Sequence, residues 1–166
     1  TFPGAGVSVV ASSEENIRYM TKLLSIQTIS YDKVNQLRHV LFLKDKATTL
    51  ALMQQHATIL KPKFDAVIAT LQREIAPLGI ATWTAPKGGY FISVDTLPGL
   101  ATRTLALCAE AGVVMTPAGA TFPYGKDPQD RNIRIAPSFP PVAELEQAMG
   151  VFCICLKMAA LEQALA

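Results

Sequence analysis

A long apolar stripe at helical spacing constrains the fold of this chain more than any other feature. Its members recur every three or four residues and are Leu50, Met53, Ala57, Leu60, Phe64, Val67, Leu71 and Ile75. This period predicts a helical segment from Asp45 to about Pro77. Pro62 lies inside it and cannot donate an intrahelical hydrogen bond, so a kink or a break is expected there. Helices of this length often bridge two domains, which places the predicted boundary between residues 45 and 79.

Two shorter helices and one strand are predicted before that stripe. The motif Gly4-Ala5-Gly6 lacks the third glycine and the downstream acid of a dinucleotide fingerprint, and a tight turn is the better interpretation. The apolar run Val7–Ala11 predicts a buried strand. Ser12 and Glu15 have the spacing of a capping box at the start of the first helix. Asp32 is predicted to cap the second helix.

Beyond residue 80 the pattern alternates between short strands and helices. Strands are predicted at Ile80–Trp83, Tyr90–Asp95, Val113–Thr116 and within 131–136, and helices at Leu100–Ala111 and after Pro140-Pro141. This order is typical of a small α/β layer in which helices pack against a mostly antiparallel sheet. The motif Lys87-Gly88-Gly89 predicts a hairpin turn, with a close backbone approach to a ligand as its functional alternative.

The composition favours a folded chain that binds neither nucleic acid nor a membrane. Half of the 166 residues are apolar, 17% are charged, and the net charge is +2. No uninterrupted apolar run approaches the roughly 20 residues that span a bilayer. The low charged fraction is also expected where further chain or a partner covers part of the surface.

The cysteines favour a reducing compartment. Cys108, Cys153 and Cys155 are odd in number and lack CxxC spacing, which argues against a disulfide framework or a zinc site. We therefore expect buried structural thiols, no metal and a cytoplasmic location.

Arg134 has the most specific chemistry of any residue in the chain. In the strand around it, Ile133 and Ile135 point to one face, and Asn132, Arg134 and Ala136 point to the other. A guanidinium presents a planar fork of donors that matches a carboxylate in two parallel hydrogen bonds. The alternatives at this point are a solvent-exposed arginine and a structural salt bridge. A second polar cluster surrounds His39 and leaves a site role open there.

Several consecutive segments resemble the C-terminal small domain of fold-type I, pyridoxal-phosphate-dependent aminotransferases. The segments are GGYFISVD, GVVMTPAGATF and NIRIAPS, each pair being separated by a helix or a loop. The longer phrase AGATFPYGKDPQDRNIRIAPSFP is similar to a bacterial subgroup of aspartate-aminotransferase-like enzymes. The resemblance implies an α/β fold in which residues 1–44 end the large cofactor-binding domain. Residues 45–79 would then form the interdomain helix and residues 80–166 the small domain.

The resemblance also implies roles for particular residues. Arg134 matches the arginine that binds the substrate's α-carboxylate in this family. Gly89 and Tyr90 would pass near the substrate. Four further residues would lie near the cofactor or the subunit interface, and these are Ser8, Asn35, Gln36 and His39.

Two of the family's functional residues have no match in this chain. The Schiff-base lysine would fall just before Thr1, so the chain is expected to be a fragment that is inactive alone. The phosphate-binding arginine of many relatives is also missing, with Ser8 or the backbone as a substitute.

The implied parent enzyme uses pyridoxal phosphate to move an amino group from an amino acid such as aspartate to a 2-oxo acid such as 2-oxoglutarate. It would be a cytoplasmic homodimer. The alternative is a free-standing, non-catalytic α/β module that binds a small carboxylate or a protein partner. The sequence upstream of Thr1 would discriminate between the two.

Overall fold

The computed structural model describes residues 4–166, and its helices follow the predicted order. The helices are α1 (Glu14–Gln27), α2 (Lys33–Leu43), α3 (Lys46–Glu74), α4 (Ala101–Glu110) and α5 (Val142–Leu165). The strands are β1 (Ala81–Trp83), β2 (Ile92–Thr96) and β3 (Asn132–Ile135), and short 3₁₀ turns cover Ala76–Leu78 and Pro123–Gly125. The chain divides into two compact units, Thr1–Gln55 and His56–Ala166.

In the first unit, side-chain caps start the two short helices. The hydroxyl of Ser13 accepts from the backbone N–H of Asn16 at 3.3 Å, and Asp32 accepts from that of Asn35 at 2.9 Å. The predicted cap at Asp32 is confirmed. The predicted cap at Ser12 is wrong by one residue, because Ser13 is the neighbouring hydroxyl whose backbone is extended at the helix start.

The helix α3 continues through Pro62 without a break. Proline removes one hydrogen bond from the helix, and burial of the apolar stripe that follows offsets that loss. Phe64, Val67 and Leu71 are buried in the core, whereas Leu50 at the other end of the stripe is half exposed.

The second unit contains the predicted small α/β layer. Its sheet has the order β1-β2-β3, and both strand pairs are antiparallel. Apolar side chains of β2 and β3 join those of α3, α4 and α5 in one core, and the largest are Phe152, Leu71, Ile75, Ile92, Leu100, Ile133 and Leu156. Two ion pairs support this packing, Lys157 with Glu74 at 2.8 Å and Arg103 with Glu162 at 2.6 Å.

Two predicted strands are absent from the structure. Val7–Ala11 forms no strand, and Val9 is 90% exposed because no neighbouring strand of the described chain pairs with this segment. Val113–Thr116 also forms no strand. The backbone N–H of Val113 instead donates to the carbonyl of Cys108 at 2.8 Å. This bond closes the end of α4 around Gly112, whose φ is +85°. Both segments are apolar enough to be predicted as strands, but neither has a neighbouring strand to pair with among the described residues.

The helix α5 is long and apolar enough, by length and composition, to cross a membrane. The sequence prediction counted only uninterrupted apolar runs and therefore missed α5, in which scattered polar residues interrupt the apolar run. Seven of its side chains are nevertheless buried in the core, and they are Leu145, Met149, Phe152, Cys153, Cys155, Leu156 and Ala159. The helix thus fits the role of a core element.

The three cysteines are free and buried, as predicted. Burial raises the pKa of the Cys108 thiol to about 12 and that of Cys153 to about 11. Since the thiolate is the reactive form, both thiols are expected to react slowly with Ellman's reagent in the folded protein. All three should react rapidly in denaturant. Rapid stoichiometric labelling of the native protein would contradict the structure.

Candidate functional site at the polar face of the small sheet

The strands β2 and β3 separate apolar from polar side chains by simple alternation. Ile92, Val94, Ile133 and Ile135 are buried on the core side. The register pairs Ser93 with Arg134 and Asp95 with Asn132, which places these four polar residues together on the other face. The antiparallel pairing thus builds a compact polar surface from residues about 40 positions apart in sequence.

Arg134 lies half-buried on this face with its donors uncommitted. Its guanidinium carbon lies over the ring of Phe91, 4.4 Å from the centroid. Its Nε is buried and has no hydrogen-bond partner. Among residues 4–166, no side-chain hydrogen bond or ion pair of Arg134 is found, which disfavours the structural salt bridge. A cation stacked on an aromatic ring is held in place while the in-plane N–H groups stay available to a ligand.

A cavity of about 200 Å³ adjoins Arg134. Its walls come from the segment after α4, the end of β3 and the first turns of α5, and include Met115, Thr116, Ala136, Pro140, Ala148 and Met149. Lys63 on α3 fixes the chain beyond β3 by donating to the carbonyls of Ser138 at 2.8 Å and Phe139 at 3.2 Å. The arginine therefore stands at the edge of an apolar hollow on a rigid strand, as a positioned binding group requires.

The loop before β3 is held by one carboxylate. Asp127 accepts hydrogen bonds from the backbone N–H groups of Gln129 at 3.0 Å and of Arg131 and Asn132 at 2.8 Å each. Burial acts to raise the pKa of Asp127, and these three donors outweigh it, so the pKa lies below its ordinary value. The charged carboxylate thereby fixes where β3 begins.

Asn132 joins this loop to the sheet. Its Nδ2 donates to the hydroxyl of Ser93 at 2.9 Å and to the carboxylate of Asp95 at 2.7 Å. Its Oδ1 accepts from the hydroxyl of Thr121 at 2.7 Å. Gly119, in the same loop, has φ +79° and lies so close to Gly125 that a Cβ would meet the Gly125 carbonyl oxygen at 2.2 Å. The loop geometry therefore depends on a glycine and on one buried amide.

Residues 1–166 match the sequence model of a protein family that is described as aspartate amino-transferase. The chain belongs to this family. A relative in Mycolicibacterium smegmatis that carries an aminotransferase name is 46% identical over 162 residues. The aspartate aminotransferase of Corynebacterium glutamicum is 45% identical over 162 residues. Each comparison covers 98% of this chain and 38% of the relative, so the chain spans well under half the length of these curated relatives.

Solved structures agree with this assignment. The crystal structure of an aspartate transaminase from Corynebacterium glutamicum matches with a TM-score of 0.83 and 44% identity, over 92% of this chain and 36% of the other. LysN, the α-aminoadipate aminotransferase of Thermus thermophilus, was solved with N-(5'-phosphopyridoxyl)-L-leucine. It matches with a TM-score of 0.69 and 18% identity, over 90% of this chain and 37% of the other, which shows a shared fold. The predicted family and fold class are confirmed.

In the first unit, the predicted site residues of this family member only partly converge. The Nδ2 of Asn35 donates to the carbonyls of Ala5 at 3.2 Å and Gly6 at 3.4 Å, while its Oδ1 is buried without a partner. His39 is buried, with its Nδ1 2.8 Å from the Asn35 carbonyl. Gln36 and Ser8 are exposed. The structure thus places Asn35 against the glycine turn and His39 one helical turn after Asn35, and their predicted roles remain predictions.

Gly89 lies in the turn between β1 and β2, as the hairpin prediction required, whereas Tyr90, predicted to begin the strand, also lies in the turn because pairing with β1 and β3 starts only beyond Phe91. Gly89 has φ +90° and Tyr90 is 56% exposed. They directly precede Phe91, the ring that supports Arg134. Their predicted proximity to the substrate therefore stays open, whereas the turn itself serves to place that ring.

Sequence reasoning missed Phe91, Asn132 and Asp127. Asn132 could have been found, because it lies two residues before Arg134 on the same strand face. Phe91 and Asp127 gave no such signal. The contact of Phe91 with a guanidinium depends on how the loops fold, and so does the contact of Asp127 with three backbone N–H groups.

Proposed function

We propose that this chain is the C-terminal part of a longer aminotransferase that uses pyridoxal phosphate. The enzyme moves an amino group from an amino acid such as aspartate to a 2-oxo acid such as 2-oxoglutarate. The family match supports the reaction class, and the aspartate aminotransferase from Corynebacterium glutamicum supports the choice of aspartate. In this proposal residues 1–44 end the large domain, 45–79 connect the domains, and 80–166 form the small domain.

The uncommitted guanidinium of Arg134 is the observation that carries the proposal. A half-buried cation with an unpartnered buried N–H is costly unless a ligand completes its hydrogen bonds. A carboxylate fits this fork in two parallel bonds, and every amino acid and 2-oxo acid substrate carries one. Arg134 therefore binds the substrate's α-carboxylate.

Binding of its carboxylate at Arg134 orients the substrate. Bound pyridoxal phosphate supplies an electron sink for charge that develops at the substrate's α-carbon. This chain's part is to fix the carboxylate, so that the bond to be broken is presented at a defined angle. Phe91 holds the guanidinium from one side, and β3 keeps it from drifting.

The described residues do not by themselves form a pyridoxal phosphate site. The segment from Gly4 to Ala11 contains no basic residue to pair with a phosphate, Ser8 is exposed, and the Asn35 amide group is engaged by backbone carbonyls. We therefore assign the Schiff-base lysine and most of the phosphate contacts to chain outside this sequence. Asn35, Gln36 and His39 remain proposed neighbours of the cofactor or the subunit interface, in a cytoplasmic homodimer.

The proposal is tested on the full-length enzyme purified with added pyridoxal phosphate. We expect a visible absorbance band from the bound cofactor, covalent trapping of that cofactor by borohydride, and conversion of aspartate and 2-oxoglutarate to oxaloacetate and glutamate. A full-length protein that stays colourless with added cofactor would rule the proposal out and would favour a non-catalytic carboxylate-binding module. A coloured protein inactive on aspartate would overturn the substrate assignment alone.

A further inference from the structure

Asn132 occupies the polar face of β3 one pleat before Arg134, and its amide makes three hydrogen bonds. Both partners on β2 are acceptors, the hydroxyl oxygen of Ser93 and the carboxylate of Asp95. The third bond, from the Thr121 hydroxyl to Oδ1, fixes which end of the amide faces β2. The amide is therefore locked with its donors toward the two acceptors that lie nearest to Arg134 in the sheet.

These two acceptors are potential competitors for the guanidinium. Ser93 lies directly opposite Arg134 in the register, and Asp95 is its diagonal neighbour, opposite Asn132. Diagonal pairs in antiparallel sheets lie within reach of long side chains, and a carboxylate is the strongest acceptor an arginine can find. In this structure Arg134 nevertheless bonds to neither, and its Nε has no partner.

We propose that Asn132 is a positioning residue that occupies Ser93 and Asp95 and so keeps Arg134 free for the carboxylate of the substrate. This inference rests on the proposed function of Arg134. It accounts for an asparagine at this position, since an aspartate would place a second carboxylate against that of Asp95. It also links the loop to the site, because Thr121 holds the amide in the required orientation.

The test is a double-mutant cycle in the full-length enzyme with Asn132→Ala, Asp95→Asn and both together. Asn132→Ala releases the Asp95 carboxylate, which then competes with the substrate for Arg134. The KM for aspartate should rise about five- to tenfold, the effect of a partly exposed ion pair, and kcat should change less than about twofold. The inhibition constant of succinate, which has carboxylates and no amino group, should rise in parallel. Asp95→Asn alone keeps the oxygen that Asn132 bonds, and its two constants serve as the reference for the double variant.

Rescue distinguishes competition from a structural role. In the double variant no carboxylate competes for Arg134, so KM should return to within about twofold of the wild type, although the thermal midpoint need not recover. A raised KM that Asp95→Asn fails to rescue would overturn the inference, as would an unchanged KM in Asn132→Ala. If Asn132→Ala does not fold, Asn132→Ser replaces it in the same cycle.

The same experiments separate this inference from the proposed function. If Arg134→Ala sharply weakens turnover and succinate binding while Asn132→Ala does neither, the carboxylate assignment stands and the inference about Asn132 fails. If Arg134→Ala changes neither, the proposed function of Arg134 fails, and the inference fails with it.

Discussion

Replacing Arg134 with alanine in the full-length enzyme is expected to lower kcat/KM for aspartate by about thirtyfold to several thousandfold. Removing one partner of a desolvated, hydrogen-bonded charge pair costs about 2–5 kcal/mol, and each 1.36 kcal/mol is tenfold in rate. The loss arises because the carboxylate of the substrate is left without its donors and because the reacting bond loses its orientation. Steady-state kinetics with aspartate and 2-oxoglutarate measure it.

Two further variants sharpen this prediction. Arg134→Lys keeps the charge and loses the planar fork, so it should recover only part of the activity. Arg73→Ala is the matched control, because the side chain of that arginine is 67% exposed and pairs with its neighbour Glu74 on the surface. It should retain activity within about twofold. Normal turnover in Arg134→Ala would show that the carboxylate is held elsewhere.

Replacing Gly119 with alanine is expected to destabilise the small domain by about 2–4 kcal/mol, which is the range for a strained backbone position with an added steric conflict. The new Cβ would lie 2.2 Å from the carbonyl oxygen of Gly125 and 2.8 Å from its carbon, and φ at this position is +79°. Because both neighbouring atoms are backbone, the loop itself must move. Thermal and urea unfolding of the full-length enzyme measure the effect.

The same substitution at Gly150 provides the control. Gly150 lies inside α5, and an added Cβ there meets nothing within 4 Å. Alanine should therefore stabilise this helix by about 0.5–1 kcal/mol through its better helix propensity. Equal effects at the two positions would show that the close approach of Gly119 to Gly125 does not exist in the folded enzyme.

Features with a local cause were predictable. The hydrophobic period identified α3 and an aspartate marked the start of α2, because each depends on residues within a few positions of one another. The α/β layer followed from the order of these elements. Strand predictions at Val7–Ala11 and Val113–Thr116 were wrong, because a strand exists only where a second strand lies beside it.

For the candidate site, the polar face of β3 and the chemistry of its arginine follow from the sequence alone. Strand alternation places Arg134 opposite the buried isoleucines whatever surrounds it. The folded chain, and not its local pattern, leaves the guanidinium of this arginine without a hydrogen-bonding or ionic partner among the described residues. That outcome depends on Phe91, Ser93 and Asp95, which lie about 40 residues earlier and reach β3 only when the sheet pairs and the loop before it folds. Short-range periodicity fixes the direction of a side chain, whereas its partners depend on contacts between distant segments.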